Sequence, residues 1–178
     1  MAMYKIISIV GVVLLMISKS ALSLNIDIDI FGEVYIPPCV VNEGAAIDVD
    51  FGRIPVKKVN GLDFAVSKTI PVKCDYYKGT PYVKIIGRKF LAMDNVLMVD
   101  SSEKNSKNLG ISLFQGDGRG ERLIIGDGNG YGYKLNHGFI SEGGIGHFTF
   151  TAIPYKTPGE ILEEGEFSST AKIEIIYL

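Results

Sequence analysis

The 178-residue chain has only two histidines, two cysteines and no tryptophan. His137 and His147 sit in no acid–histidine–nucleophile spacing, so the sequence offers no Ser–His–Asp triad. Cys39 and Cys74 are far from a CxxC pattern, and neither has a histidine beside it. That argues against a zinc or thiol-redox site. No run of basic residues with interleaved aromatics occurs, and the full chain carries a net charge of −2. A strong non-specific nucleic-acid surface is thereby excluded. Internal repeats of 20 to 50 residues are absent, and no linker is long enough to divide the chain. Helix signals are poor, because 21 glycines interrupt almost every window long enough for one.

Long apolar runs are also missing, apart from one at the start. Lys5 precedes the apolar stretch from Ile6 to Ile17, and Ala21-Leu22-Ser23 supplies the small residues of a cleavage site. The stretch is too short and wrongly flanked for a membrane span, so residues 1–23 read as a secretory signal. An uncleaved anchor helix is the alternative. The expected mature chain starts at Leu24, give or take two residues. It loses Lys5 and Lys19 and so carries 16 basic against 20 acidic residues, a charge of −4. In an exported chain an even pair of cysteines reads as a disulfide, here closing a 35-residue loop. The chain-entropy model gives such a bridge about 4 kcal/mol, though the mechanism is model-dependent. A free thiol or a metal pair are the other readings.

Strand signals are frequent. Alternation of polar and apolar residues occurs at Asn25 to Ile30, Ile47 to Phe51, Thr69 to Val72, Tyr82 to Ile86 and Phe148 to Ile153. Shorter runs bounded by glycine lie at Ile111 to Phe114 and Leu123 to Ile125. Turn residues separate them: Asn42-Glu43-Gly44, Asn60-Gly61, Lys78-Gly79, Asp117-Gly118 and Asp127-Gly128. Short strands at this spacing predict an all-β sandwich or barrel. A helix of one or two turns fits near Asp100 to Lys107. The glycine clusters 116–120 and 126–130 look superficially like nucleotide or calcium loops. No helix can follow them and no closing acid set is present, so they read as hairpin turns. Glu163-Glu164 reads as a solvated loop before the last strand.

Both ends of the expected mature chain alternate. Leu24, Ile26, Ile28 and Ile30 share one face, with Asn25, Asp27 and Asp29 on the other. Near the C-terminus, Phe167, Ser169, Ala171, Ile173, Ile175 and Tyr177 share a face. A terminal strand of that kind closes a sheet within its own domain or offers an edge to another chain. The N-terminal segment is either a first strand, which residue statistics alone favour, or a strand for another chain.

Gly32-Glu33-Val34-Tyr35-Ile36-Pro37-Pro38-Cys39, followed by Val49-Asp50-Phe51-Gly52, resembles the opening of pilus subunits assembled by the chaperone–usher pathway. Gly165, fourteenth from the end, and the penultimate Tyr177 match the C-terminal signature of that family. Gly110 to Gly116, Phe148 to Thr151 and Gly159 to Leu162 are most similar to its tip-adaptor subunits. The resemblance implies an incomplete immunoglobulin-like β-sandwich over residues 32–178 that lacks its last strand. Residues 24–31 would be an N-terminal donor-strand extension. Cys39 and Cys74 would bridge the first two strands.

Further expectations follow from the resemblance. Gly165, Phe167, Ala171, Ile173, Ile175, Tyr177 and Leu178 would border a groove filled first by a periplasmic chaperone. At the outer-membrane usher, the extension of the next tip-fibrillum pilin would replace the chaperone strand. Leu24, Ile26, Ile28 and Ile30 would in turn complete the adhesin subunit. No cofactor, metal, nucleic acid or catalysis is implied, and the location would be the pilus tip. The extension departs from many in the family: it is short, and its facing residues are all Ile or Leu. A receptor-binding lectin is the alternative of a different class, with a rod subunit or a terminator as other roles in the same pathway.

Overall fold

The computed structural model describes residues 25–178. The expected signal segment and Leu24 lie outside the described residues. Two compact units divide the chain, with the boundary after Val34. In the first, residues 25–34 form no strand ladder, and Ile26, Ile28, Ile30, Phe31 and Val34 are exposed.

The second unit is built from nine strands in two sheets. The first sheet comprises β1 (Val40–Val41), β2 (Val66–Lys73), β8 (Ile145–Lys156), β5 (Leu109–Gln115) and β4 (Val96–Met98), in that order. β7 (Phe139–Glu142) pairs with the first residues of β8. The second sheet places β3 (Pro81–Gly87) between β6 (Tyr133–Lys134) and β9 (Ala171–Tyr177). All the pairs are antiparallel. The alternation seen in the sequence now has a cause. Ile70 and Val72 of β2, Phe148 and Ala152 of β8, and Val83 and Ile85 of β3 are buried in one core with Ile175 and Tyr177 of β9. Their β2 neighbours Thr69, Pro71 and Lys73 face solvent. The result is an all-β, immunoglobulin-like sandwich.

Some expected elements differ. The helix is α1 (Glu103–Asn108), capped by the Ser102 side chain, which accepts from the Asn105 N–H. Leu123 and Ile125 are fully buried but form only isolated bridges beside them, Arg122 to Phe114 and Gly126 to Ile85. Ile47 to Phe51 keeps its alternation in burial yet joins no ladder. β7 and β8 form a hairpin through Gly143 and Gly144, both with positive φ. That is the type I′ requirement, and it needs glycine or its like. A Cβ on Gly144 would stand 2.3 Å from the Cys74 carbonyl oxygen.

The two glycine clusters are turns. Buried Thr151 fastens the first, donating to the Gly116 carbonyl (2.7 Å) and accepting from the Gly118 N–H (2.8 Å). The second closes on Asp127, whose carbonyl accepts from Gly130 and Gly132.

Cys39 and Cys74 form a disulfide beside the β1–β2 ladder, one register step beyond the Val40–Lys73 pair. Cys39→Ser is expected to lower periplasmic yield several-fold, because about 4 kcal/mol is a large share of a domain's 5–15 kcal/mol stability. Immunoblotting of periplasmic extracts checks this. Unchanged yield would mean the bridge contributes little.

Candidate functional site: an open strand edge

β9 is paired with β3 along one side only. Leu178 and Thr80 exchange two main-chain hydrogen bonds, N–H to O distances 3.0 and 2.7 Å. In an antiparallel ladder the bonding direction alternates. Residues 172, 174 and 176 therefore bond β3, and residues 171, 173, 175 and 177 turn their main-chain groups the other way. On that outer side the Cys39 N–H donates to the Ile175 carbonyl at 2.7 Å. Farther up, Ala171 and Ile173 meet no main-chain partner among the described residues.

Facing this edge runs the extended segment 47–54. It also makes no strand ladder among the described residues. Ile47, Val49 and Phe51 are half-buried and point inward, whereas Asp48 and Asp50 are exposed. Between the two edges lies a cavity of about 330 Å³. Its lips are Ile47, Val49 and Phe51 on one side and Phe167, Ala171 and Ile173 on the other. Its floor is the sandwich core: Ile85, Leu97, Ile111, Leu113 and Leu123. A wider cleft of about 1010 Å³ adjoins it, floored by Val59, Leu109 and Leu162. Phe51 and Phe167 line both spaces, and their ring centroids approach to 6.1 Å. The groove thus exposes core surface between two unpaired main-chain edges. A β-strand with large apolar residues at alternate positions satisfies both demands.

The expected site residues divide along β9. Phe167, Ala171 and Ile173 line the cavity. Gly165 borders the wider cleft, where a Cβ would meet nothing within 4 Å. Ile175 and Tyr177 do not line it; they are buried in the closed part of the core, Tyr177 against Phe139 at 6.0 Å. Leu178 is partly exposed, with its backbone held by Thr80. Ile26, Ile28 and Ile30 belong to the other unit and are 75%, 81% and 88% exposed.

Sequence reasoning missed the residues that hold the lip. Asn105, buried in α1, donates to the Glu163 carbonyl and accepts from the Glu163 N–H, both at 2.9 Å. Ser101 Oγ donates to the Glu166 carbonyl (2.8 Å), and Ser169 Oγ to the Met98 carbonyl (2.8 Å). Asp100 and Ser168 exchange two main-chain bonds. The segment leading into β9 is therefore fastened on the side of α1 and β4. Only the N-cap Ser102 signals this from sequence; the partners are about 60 residues away.

His137 approaches Glu121 at 3.5 Å on the surface, and its main-chain N–H donates to Gln115 Oε1. Among the described residues no three metal-ligating side chains come together.

Known proteins share this architecture. A family model described as fimbrial protein matches residues 28–178. The fimbrial adapter PapF of Escherichia coli is 36% identical over 163 residues, covering 92% of this chain and 94% of that protein. The minor fimbrial protein PrsF of Escherichia coli is 35% identical over 164 residues, with the same coverage. The solved structure of the P pilus adaptor subunit PapF superposes with a TM-score of 0.55 at 33% identity, over 82% of this chain and all of that one. The P pilus rod subunit PapA matches in fold, with a TM-score of 0.52 at 20% identity, over 85% of this chain and all of that one. The half-open sandwich and the span of these similarities place the chain in the fimbrial protein family.

Proposed function

We propose that this protein is a minor pilus subunit that works as a tip adaptor, joining an adhesin to the tip fibrillum by donor-strand exchange. The observation that carries the reading is the groove between residues 47–51 and 167–173, which lacks one strand. The 36% identity to an adapter supports the place in the pilus. In this reading residues 1–23 direct export. A periplasmic chaperone lends its strand to the groove, and the usher is where the next subunit's extension replaces it. Leu24, Ile26, Ile28 and Ile30 form the donor strand offered to the adhesin. Ile26, Ile28 and Ile30 suit that task because they are exposed and alternate with polar residues. The role is mechanical assembly, without catalysis or cofactor.

Co-expression with a pilus chaperone and an adhesin subunit tests it. The expected product is a ternary complex in which this chain is held by the chaperone and joined to the adhesin through residues 24–30. Recovery of a binary complex that never joins an adhesin would remove the adaptor role and leave the pilin class.

A further inference from the structure

One lip of the groove and the chain's own N-terminal segment carry the same pattern. Ile47-Asp48-Val49-Asp50-Phe51 forms the lip, and Ile26-Asp27-Ile28-Asp29-Ile30 forms the segment. In both, apolar residues alternate with aspartates two positions apart. On the lip, the apolar residues are half-buried against the cavity, and Asp48 and Asp50 are exposed at the rim of the two spaces. A strand entering the groove buries one face and turns the other outward between the two lips. Its outward residues then lie about 5 Å from those of the flanking strands, where like charges oppose pairing.

We infer that this acidic lip makes the groove reject the chain's own N-terminal segment. The favoured occupant is a strand from a different chain, alternating large apolar residues with outward residues that are neutral or basic. This rests on the strand-exchange reading above and adds to it a rule of partner choice. Were a second copy to donate its segment, Asp27 and Asp29 would fall beside Asp48 and Asp50 in either strand direction. Their two-residue spacing is the same, so both pairs align in one register and one pair in the registers two residues to either side.

The charges lining the groove and the adjoining cleft are predominantly acidic. Lys172 on the opposite lip and Arg53 in the wider cleft are the two basic residues lining these spaces. Against them stand Asp48, Asp50, Glu164 and Glu166. Glu163 is already paired with Lys104 at 3.3 Å. Asp50 also accepts from the Gly52 N–H at 2.8 Å, which fixes its carboxylate on the lip.

A competition experiment on the full chain in its chaperone complex tests the rule. Two synthetic peptides of residues 24–31 are supplied in equal amounts, one native and one with Asp27→Asn and Asp29→Asn. Their apolar residues are identical, so the burial contribution cancels. Native mass spectrometry reads the ratio of the two strand-exchanged products. The neutral peptide is expected to prevail by about fivefold at low salt. The ratio should fall toward one at about 1 M salt, where the screening length is about 3 Å. The variant Asp48→Asn/Asp50→Asn should bring it near one at low salt, while both peptides still enter. An equal ratio in the native groove at low salt, or a ratio the double variant leaves unchanged, overturns the charge rule alone. If neither peptide enters, the strand-exchange reading falls with it.

Discussion

Produced in a periplasm without any pilus chaperone, this chain is expected to accumulate as aggregates and proteolytic fragments, with almost no soluble monomer. Ile47, Val49, Phe51, Phe167 and Ile173 are only half-buried along the groove. Complete burial of such a side chain contributes about 1.5–3 kcal/mol, so covering the exposed halves of all five is worth about 4–8 kcal/mol. A whole domain has about 5–15 kcal/mol. The open main-chain edge at Ala171 and Ile173 adds a template for uncontrolled strand pairing. Supplying a peptide that alternates large apolar residues should restore a soluble, cooperatively unfolding species. Size-exclusion chromatography and urea titration provide the check. A monomer that unfolds cooperatively with neither chaperone nor peptide would show that the groove is no liability.

The two ends of the chain should respond to a charge in opposite ways. Ile28 is 81% exposed, so Ile28→Asp is expected to leave folding and chaperone binding intact. It should slow joining to an adhesin by at least about a hundredfold, because a carboxylate entering an apolar pocket without a partner costs several kcal/mol or must be neutralised. Ile175 is fully buried, paired with Val83 and capped by Cys39. Ile175→Asp should yield no folded protein at all, with or without chaperone. Because that variant fails through the core, the groove itself is tested at Ile173, where Ile173→Asp should prevent capture by a chaperone. Circular dichroism and a strand-exchange assay separate these outcomes. If Ile28→Asp unfolds the protein, residues 24–30 are an integral first strand and the donor reading is lost.

Much of this was legible in the sequence because alternation is a direct print of half-buried strands. Thr69 to Val72, Tyr82 to Ile86 and the stretch ending at Tyr177 all announce themselves in that way, although the first extends to Val66–Lys73 in the structure. Ile47 to Phe51 also reads as a strand, and its burial alternates as one. It joins no ladder among the described residues; in the strand-exchange reading, its neighbour comes from another chain. The pattern reports which face is buried; it does not report whether a partner strand is present. Val96–Met98 and Phe139–Glu142 escaped notice because three or four residues give too short a period to detect. Leu123 and Ile125 read as a strand only because they are buried; their position rests on isolated bridges to β5 and β3. The approach of Phe51 to Phe167 joins residues more than 100 positions apart, and nothing local in either segment encodes it.

The Cys39–Cys74 bridge has a consequence beyond stability. It fastens Cys39 to the end of β2, and the Cys39 N–H occupies the Ile175 carbonyl on the outer edge of β9. A strand laid along that edge from Phe167 meets an obstacle there and stops. Sliding by a single residue would turn every large side chain of the guest from the core to the solvent. In the strand-exchange reading the covalent link is a ruler: it would fix where a foreign strand ends, and with that end fixed, which of its residues fill the groove.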